Sequence, residues 1–372
     1  MNADLSGRHP AGREENPLLL PFAERELPAG RHRFHKERLM AQIHEDLRAA
    51  DAGATAAPAR TARARNPFLR RAFLVPATAF ALTGVLTAGF LVYVDRGAAD
   101  GPGSTMATGP ALTTRIGAAD PHGAPQLLDR ISLVAASSPS DPAAVRADQF
   151  IYIGSKTATT YVKTDHGKRT LVSEELHMRH QWNSPDGGKG WLIEPGNTSP
   201  EGVTLEGTDE KGNARTAYLN APTYDYLAGL PTDPDLLLQK IYAETKGMGG
   251  SPDQEAFTTI GDLLRASHPP AALTAALYKA AAKIPGVVTV DDAVDAAGRH
   301  GLAVARLDDR SGQREEWIFD RQTLAFLGER TVQVQGEAGE GGLIKPGTVV
   351  STTAVMTRAV VDRMKEVPAS AG

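Results

Sequence analysis

The chain contains no cysteine, which excludes disulfides, thiolate nucleophiles and zinc sites built on Cys ligands. It also lacks a phosphate-binding loop. The stretch "DGGKGW", Asp186 to Trp191, does not carry the Gly-x4-Gly-Lys-Ser/Thr order, so its glycines predict a hairpin turn, and "GEAGEGG" near Gly336 predicts a loop. No serine sits in a Gly-x-Ser-x-Gly turn, the setting of an exposed nucleophile on a strand-to-helix elbow.

Metal chemistry finds no foothold either. The histidine clusters are His32, His35 and His44 in one segment and His177 and His180 in another. Residues three apart on an extended strand point to opposite faces, so His177 and His180 cannot easily share a metal. The acidic pairs Asp291-Asp292, Asp308-Asp309 and Glu315-Glu316 are candidate general acids by residue type alone. They fall at predicted turns or on alternating strands, where solvated carboxylates are the expectation. Asn197-Thr198-Ser199 matches a glycosylation acceptor, which matters only in a host with the machinery. No catalytic residue, metal or cofactor is expected.

Charge is missing altogether from Ala72 to Val94. At about 1.5 Å per residue these 23 residues make a helix of roughly 35 Å, enough to cross a hydrocarbon layer of roughly 30 Å with some tilt. Pro76 lies in the first turn or so, where its missing N–H matters least, and Phe73, Phe90 and Tyr93 lie near the ends as interfacial aromatics do. The 71 residues before the run are too many for the basic start of a signal peptide. Arg60, Arg63, Arg65, Arg70 and Arg71 crowd its N-terminal flank, against Asp95, Arg96 and Asp100 on the other. The positive-inside rule predicts a single-pass protein of the plasma membrane, with residues 1–71 in the cytoplasm and the chain after Val94 outside.

The overall formal charge of −4 averages two unlike parts. Residues 1–71 hold 13 Lys and Arg against 9 Asp and Glu, leaving 27 against 35 for the rest. A basic segment beside an anionic inner leaflet is drawn to the bilayer, and nucleic-acid binding is not implied.

Within the inner segment, Pro10, Pro17, Pro21 and Pro28 predict an extended arm. Then "RHRFHKERLMAQIHEDLRAA" predicts an amphipathic helix over 31–50, with Leu39, Met40, Ile43 and Leu47 on one face. Such a face fits either a groove on a cytoplasmic partner or the inner membrane surface. Residues 95–121, rich in Gly, Ala, Thr, Ser and Pro, predict a linker.

A folded domain is expected over 122–372, long enough to bury a core without disulfides. "APQLLDRISLVAAS" has helical spacing, after which the period becomes two: "QFIYIGSKTATTYVKT", "RTLVSEELHMRHQW" and "KGWLIEP" predict strands joined by short turns. Asp233 or Asp235 can cap "LLLQKIYAETKG", and helices follow at "DQEAFTTIGDLLRAS" and "PPAALTAALYKAAAKIPG". Strands return at "GVVTV", "LAVARLDD", "REEWIFD", "TLAFLGERTVQVQ" and "GTVVSTTAVMTRAVV". Strands, helices and strands again predict an α+β domain with one curved antiparallel sheet and helices packed on one face.

Six stretches, "LPAGRHRFHKERLMAQI", the span, "LPTDPDLLLQKIY", "PPAALTAALYKAAAKIPGV", "VDAAGRHGLAVAR" and "EEWIFDRQTLAFLGER", resemble an uncharacterised group of actinobacterial single-pass membrane proteins, often encoded beside extracytoplasmic-function sigma factors. The resemblance implies a role in transmembrane signalling, with the inner helix as a sigma-factor contact. The zinc-binding anti-sigma element, His-x3-Cys-x2-Cys, is missing here, so any such contact would be metal-free. The outer domain is also loosely similar to lipoprotein-carrier and periplasmic sensor domains, whose curved sheet covers an apolar cavity; that likeness is architectural. The expected function is a non-enzymatic envelope sensor or regulator, anti-sigma-like in action. The alternative is a tethered carrier for a lipid or apolar peptide.

Overall fold

The computed structural model describes residues 108–137, 145–165, 167–209, 212–336 and 342–368. The predicted inner helix with Leu39, Met40, Ile43 and Leu47, the five flanking arginines and the Ala72–Val94 run lie outside them. Among the described residues no helix is long and apolar enough to cross a membrane.

In chain order, β1 (Ala119–Asp120) and α1 (Ala124–Ala136) lead into β2 (Phe150–Asp165), β3 (Lys168–Ser173), β4 (His177–Asn183), β5 (Lys189–Ile193) and β6 (Val203–Glu206). The helices α2 (Tyr224–Ala228), α3 (Pro234–Glu244), α4 (Pro252–Ala266) and α5 (Ala271–Ala281) follow. Then come β7 (Val287–Val294), β8 (His300–Asp308), β9 (Gln313–Phe319), β10 (Phe326–Gln333) and β11 (Val349–Val361). The strands form one 11-stranded antiparallel sheet in the order β1-β7-β8-β9-β10-β11-β2-β4-β5-β6, with β3 pairing the far half of β2. Its ends, β1 and β6, do not meet, and register shifts in the β7–β8, β9–β10, β10–β11 and β11–β2 ladders bend it. This is the expected α+β class with an open, curved sheet.

Local chemistry explains the helices. Asp233 rather than Asp235 caps α3, its carboxylate accepting from the backbone N–H of Asp235 and Leu236 at 3.0 Å, with Pro234 in the first turn. Ser251 caps α4 by accepting from the Gln254 N–H at 3.2 Å. Proline opens α5, and Gly286, at φ 80°, turns the chain into β7.

The run "RTLVSEELHMRHQW" is two strands, β3 and β4, broken where Glu174 turns to bridge Thr108. The short β6 and α2 carry too few residues for a readable period. Residues 108–120, whose composition reads as linker, run along the sheet. Gly109 N–H donates to the Ser173 carbonyl at 3.0 Å, Thr114 N–H to Gly347 at 2.8 Å, and Ala119 pairs with Val290.

Burial explains the layers. Phe257, Ile260, Leu263 and Leu264 of α4, with Leu273 and Leu277 of α5, are buried against Val304, Trp317 and Phe319 of the sheet. Phe257 stacks on Trp317 with ring centroids 3.9 Å apart and 6° between planes. On the opposite face Val290, Ala293, Ala303, Ala305 and Ile318 form a second cluster. A third, of Tyr152, Trp182 and Val361, is closed by the chain's last described turn, where Trp182 Nε1 donates to the Glu366 carbonyl at 2.7 Å.

Gly261 marks the tightest contact between α4 and the sheet: a Cβ there would strike Trp317 Nε1 and come within 2.8 Å of Glu315 Oε1. Helix propensity favours alanine over glycine by about 1 kcal/mol. Gly261→Ala is nevertheless expected to destabilise the chain by about 1–3 kcal/mol, the range for overpacking. Urea unfolding of the full-length variant checks this, and a gain in stability would contradict the packing described.

Candidate functional site

Antiparallel pairing places Ile151 opposite Asn183 and Ile153 opposite Gln181, so these four residues of β2 and β4 share one face. Helix α2 and the end of α4 stand over that face. Between them lies an open pocket of about 430 Å³, its mouth included, floored by the four strand residues and walled by Pro222, Leu227, Ala266 and the turn from Ser184 to Gly187. Ser184 is tied down by its hydroxyl, which donates to Asp186 at 2.6 Å.

Beside the pocket, α4 meets the sheet through charge. Arg265 pairs with Asp262 one turn earlier and with Glu329 of β10. Glu315 of β9 accepts from Trp317 Nε1 at 3.1 Å, from Thr258 Oγ1 at 2.6 Å and from Gln254 Nε2 at 3.2 Å. Burial pushes the Glu315 carboxyl up to about 8, with the Glu329 charge adding to it. Burial likewise pushes Asp262 up to about 7, against the opposing pull of Arg265. Asp262 and Glu329 thus share one guanidinium while Glu315, raised by burial and by the Glu329 charge, is held by neutral donors, and the seam retains protons at neutral pH.

Next along the sheet, Glu194 accepts from Arg179 Nε at 3.3 Å and lies 3.4 Å from His177 Nε2. Burial alone would lower His177, but its hydrogen bonds to Glu194 and the Glu175 carbonyl outweigh that and raise it. His180 faces the other way, its Nδ1 2.8 Å from the Tyr152 hydroxyl, and burial lowers it. The two histidines therefore serve different clusters, as their spacing predicts. Among the described residues no group of three or more His, Asp or Glu is placed to hold a metal ion.

The acidic pairs divide. Asp291 and Asp292 are exposed, and Asp308 and Asp309 sit at a turn. The Glu315-Glu316 pair is not solvated: Glu315 is 9% exposed and Glu316 0%. Strand alternation sends Glu316 to the face opposite Glu315, where Arg314 Nη2 and Arg330 Nε meet it at 2.6 and 2.7 Å. The expectation of solvated carboxylates fails because both faces of β9 are covered. Arg330 also donates to Thr114 Oγ1 at 3.1 Å, in the stretch that precedes β1.

Glu315 and Asp262 hold protons in the folded chain that the unfolded chain releases near their ordinary values of 4.5 and 3.8. Their contribution to stability is complete below those ordinary values and is lost as pH rises from there through about 7 for Asp262 and about 8 for Glu315. Glu315→Gln keeps the shape and removes the titration. Its unfolding midpoint is expected to fall less between pH 5 and pH 8 than that of the unaltered chain. Parallel falls in thermal unfolding would contradict a protonated Glu315.

No family model matches the chain, and no curated protein matches it. Among solved structures, it is similar to a chain in the complex structure of Pseudomonas aeruginosa MucA/MucB, at 11% identity and a TM-score of 0.22. The match covers 66% of this chain and 58% of that chain. A likeness at that score carries no argument about fold or role.

Proposed function

We propose that the chain is a non-enzymatic, membrane-anchored protein of the cell envelope, in which an outer α+β domain senses a ligand and the inner segment acts on a cytoplasmic partner of sigma-factor type. The observation that carries this reading is the uncharged run from Ala72 to Val94, with Arg60, Arg63, Arg65, Arg70 and Arg71 on one flank only. It divides a basic inner segment with one predicted apolar helix face from an acidic outer domain. The pocket on the helix-covered face of β2 and β4 supports a binding role for that outer domain.

The carrier alternative has less support. Phe257, Leu273 and Leu277 fill the space between the helices and β8–β9, and the pocket's floor holds two carboxamides, a poor lining for a lipid chain.

Two outcomes test the proposal. A reporter active only in the cytoplasm is expected to work at the N-terminus, and one active only outside to work after Gly372. Cytoplasmic activity at the C-terminus would overturn the topology. In addition, the full-length chain is expected to capture a sigma factor, and Ile43→Asp to weaken capture by about 2–4 kcal/mol, as loss of a central apolar anchor does. Glu45→Gln, off that face, should change little. Capture unaffected by Ile43→Asp, or abolished equally by both substitutions, would remove the docking face.

A further inference from the structure

We infer that the pocket over β2 and β4 binds a neutral ligand through a secondary amide, the group shared by a peptide bond and an N-acetyl substituent. The inference deepens the sensor reading and rests on it for the purpose of binding, though not for the binding itself.

Two polar groups at the pocket's floor lack partners. Gln181 is 3% exposed, and its carboxamide makes no hydrogen bond among the described residues. Asn183 Oδ1 is buried and equally without a partner. Most buried polar groups in folded proteins are satisfied, and leaving one bare costs about 1–3 kcal/mol. Here the bare Asn183 oxygen and the Gln181 carboxamide stand at i and i+2 of one strand, on one face, lining one opening, and the Asn183 oxygen is the one of the two that is fully buried. A guest that donates to Asn183 Oδ1 recovers that loss, and the Gln181 carboxamide beside it offers a second hydrogen bond.

The lining narrows the guest's chemistry. It contains no Asp, Glu, Lys or Arg, and His268 is its one side chain able to carry a positive charge, so a cation would enter without a counterion and lose its hydration uncompensated. A hydrocarbon chain would leave both carboxamides bare. A secondary amide carries one donor and one acceptor on a rigid plane, and so matches these carboxamides whichever way each is turned. Ile153, Pro222 and Leu227 offer apolar surface for the methyl or methine carbons that flank such an amide.

The test is titration of the full-length chain with N-acetyl-L-alanine N-methylamide and, separately, with N-acetylglucosamine, followed by nuclear magnetic resonance of the Gln181 and Asn183 side-chain amides. At least one probe should shift both signals saturably, while acetate and methylammonium at equal concentration should not. A response to the first alone assigns a peptide amide, and to the second alone an N-acetyl sugar. Gln181→Leu is expected to weaken the effective probe about tenfold or more, the equivalent of one lost hydrogen bond in a buried site. Neither probe shifting the signals, acetate binding as well as the amides, or unchanged affinity in Gln181→Leu would each overturn the inference. Should that variant not fold, the signals of the unaltered chain decide. Amide binding without sigma-factor capture keeps the site and removes the regulatory reading. Capture without amide binding does the reverse.

Discussion

On β9 the side chains alternate, so Glu315 and Trp317 enter the helical layer while Glu316 enters the opposite one, where Arg314 and Arg330 hold it at 2.6 and 2.7 Å. Both layers close over ionisable groups, in a chain with no cysteine to staple it. Taking such groups out of water costs several kcal/mol per ion unless geometry and hydrogen bonds offset it. The fold therefore depends on the partners of β9 arriving together. Arg330 must come from the neighbouring strand, and Thr258 and Gln254 from α4. Gly261 leaves Trp317 and Glu315 the room that a larger residue would fill.

The same groups tie the site to the rest of the domain. Arg265 ends α4 against Glu329, and the residue after it, Ala266, is already pocket wall. On the far face Arg330 reaches from Glu316 to Thr114, in the stretch that joins the sheet to the segment after Val94. Pocket, charged seam, sheet and leading strap thus form a contiguous set of contacts. In the proposed reading, a ligand seated on Gln181 and Asn183 meets α2, the turn from Ser184 to Gly187 and the end of α4.

Periodicity carried much of the fold in the sequence. The apolar faces of α1, α4 and α5 and the strands from β7 to β11 stand where their spacing predicts, and Asp233 proves to be the cap that Asp233-Pro234-Asp235 advertises. Short elements such as β6 and α2 left no period to read. The Glu315-Glu316 pair was illegible for a different reason. Alternation identifies a solvated face only when one side of a sheet is open, and one of the two arginines that meet Glu316 lies 14 residues on, across a hairpin. The pocket was missed because its floor residues, in His-Gln-Trp-Asn, do not titrate and match no catalytic spacing. Their one trace is two amides at strand spacing around a tryptophan, a pattern that acquires meaning only once β2 and α4 are in place.

If buried pairing across β9 holds the domain together, removing one partner must be worse than removing all of them. The direct measurement is the unfolding free energy, in urea, of Glu316→Gln alone and of the combined Arg314→Met, Glu316→Leu, Arg330→Met variant. The single change should cost about 3–5 kcal/mol by stranding two buried guanidinium groups, and the triple change should recover most of it. A near-neutral single change, or a triple variant less stable than the single one, would contradict the account.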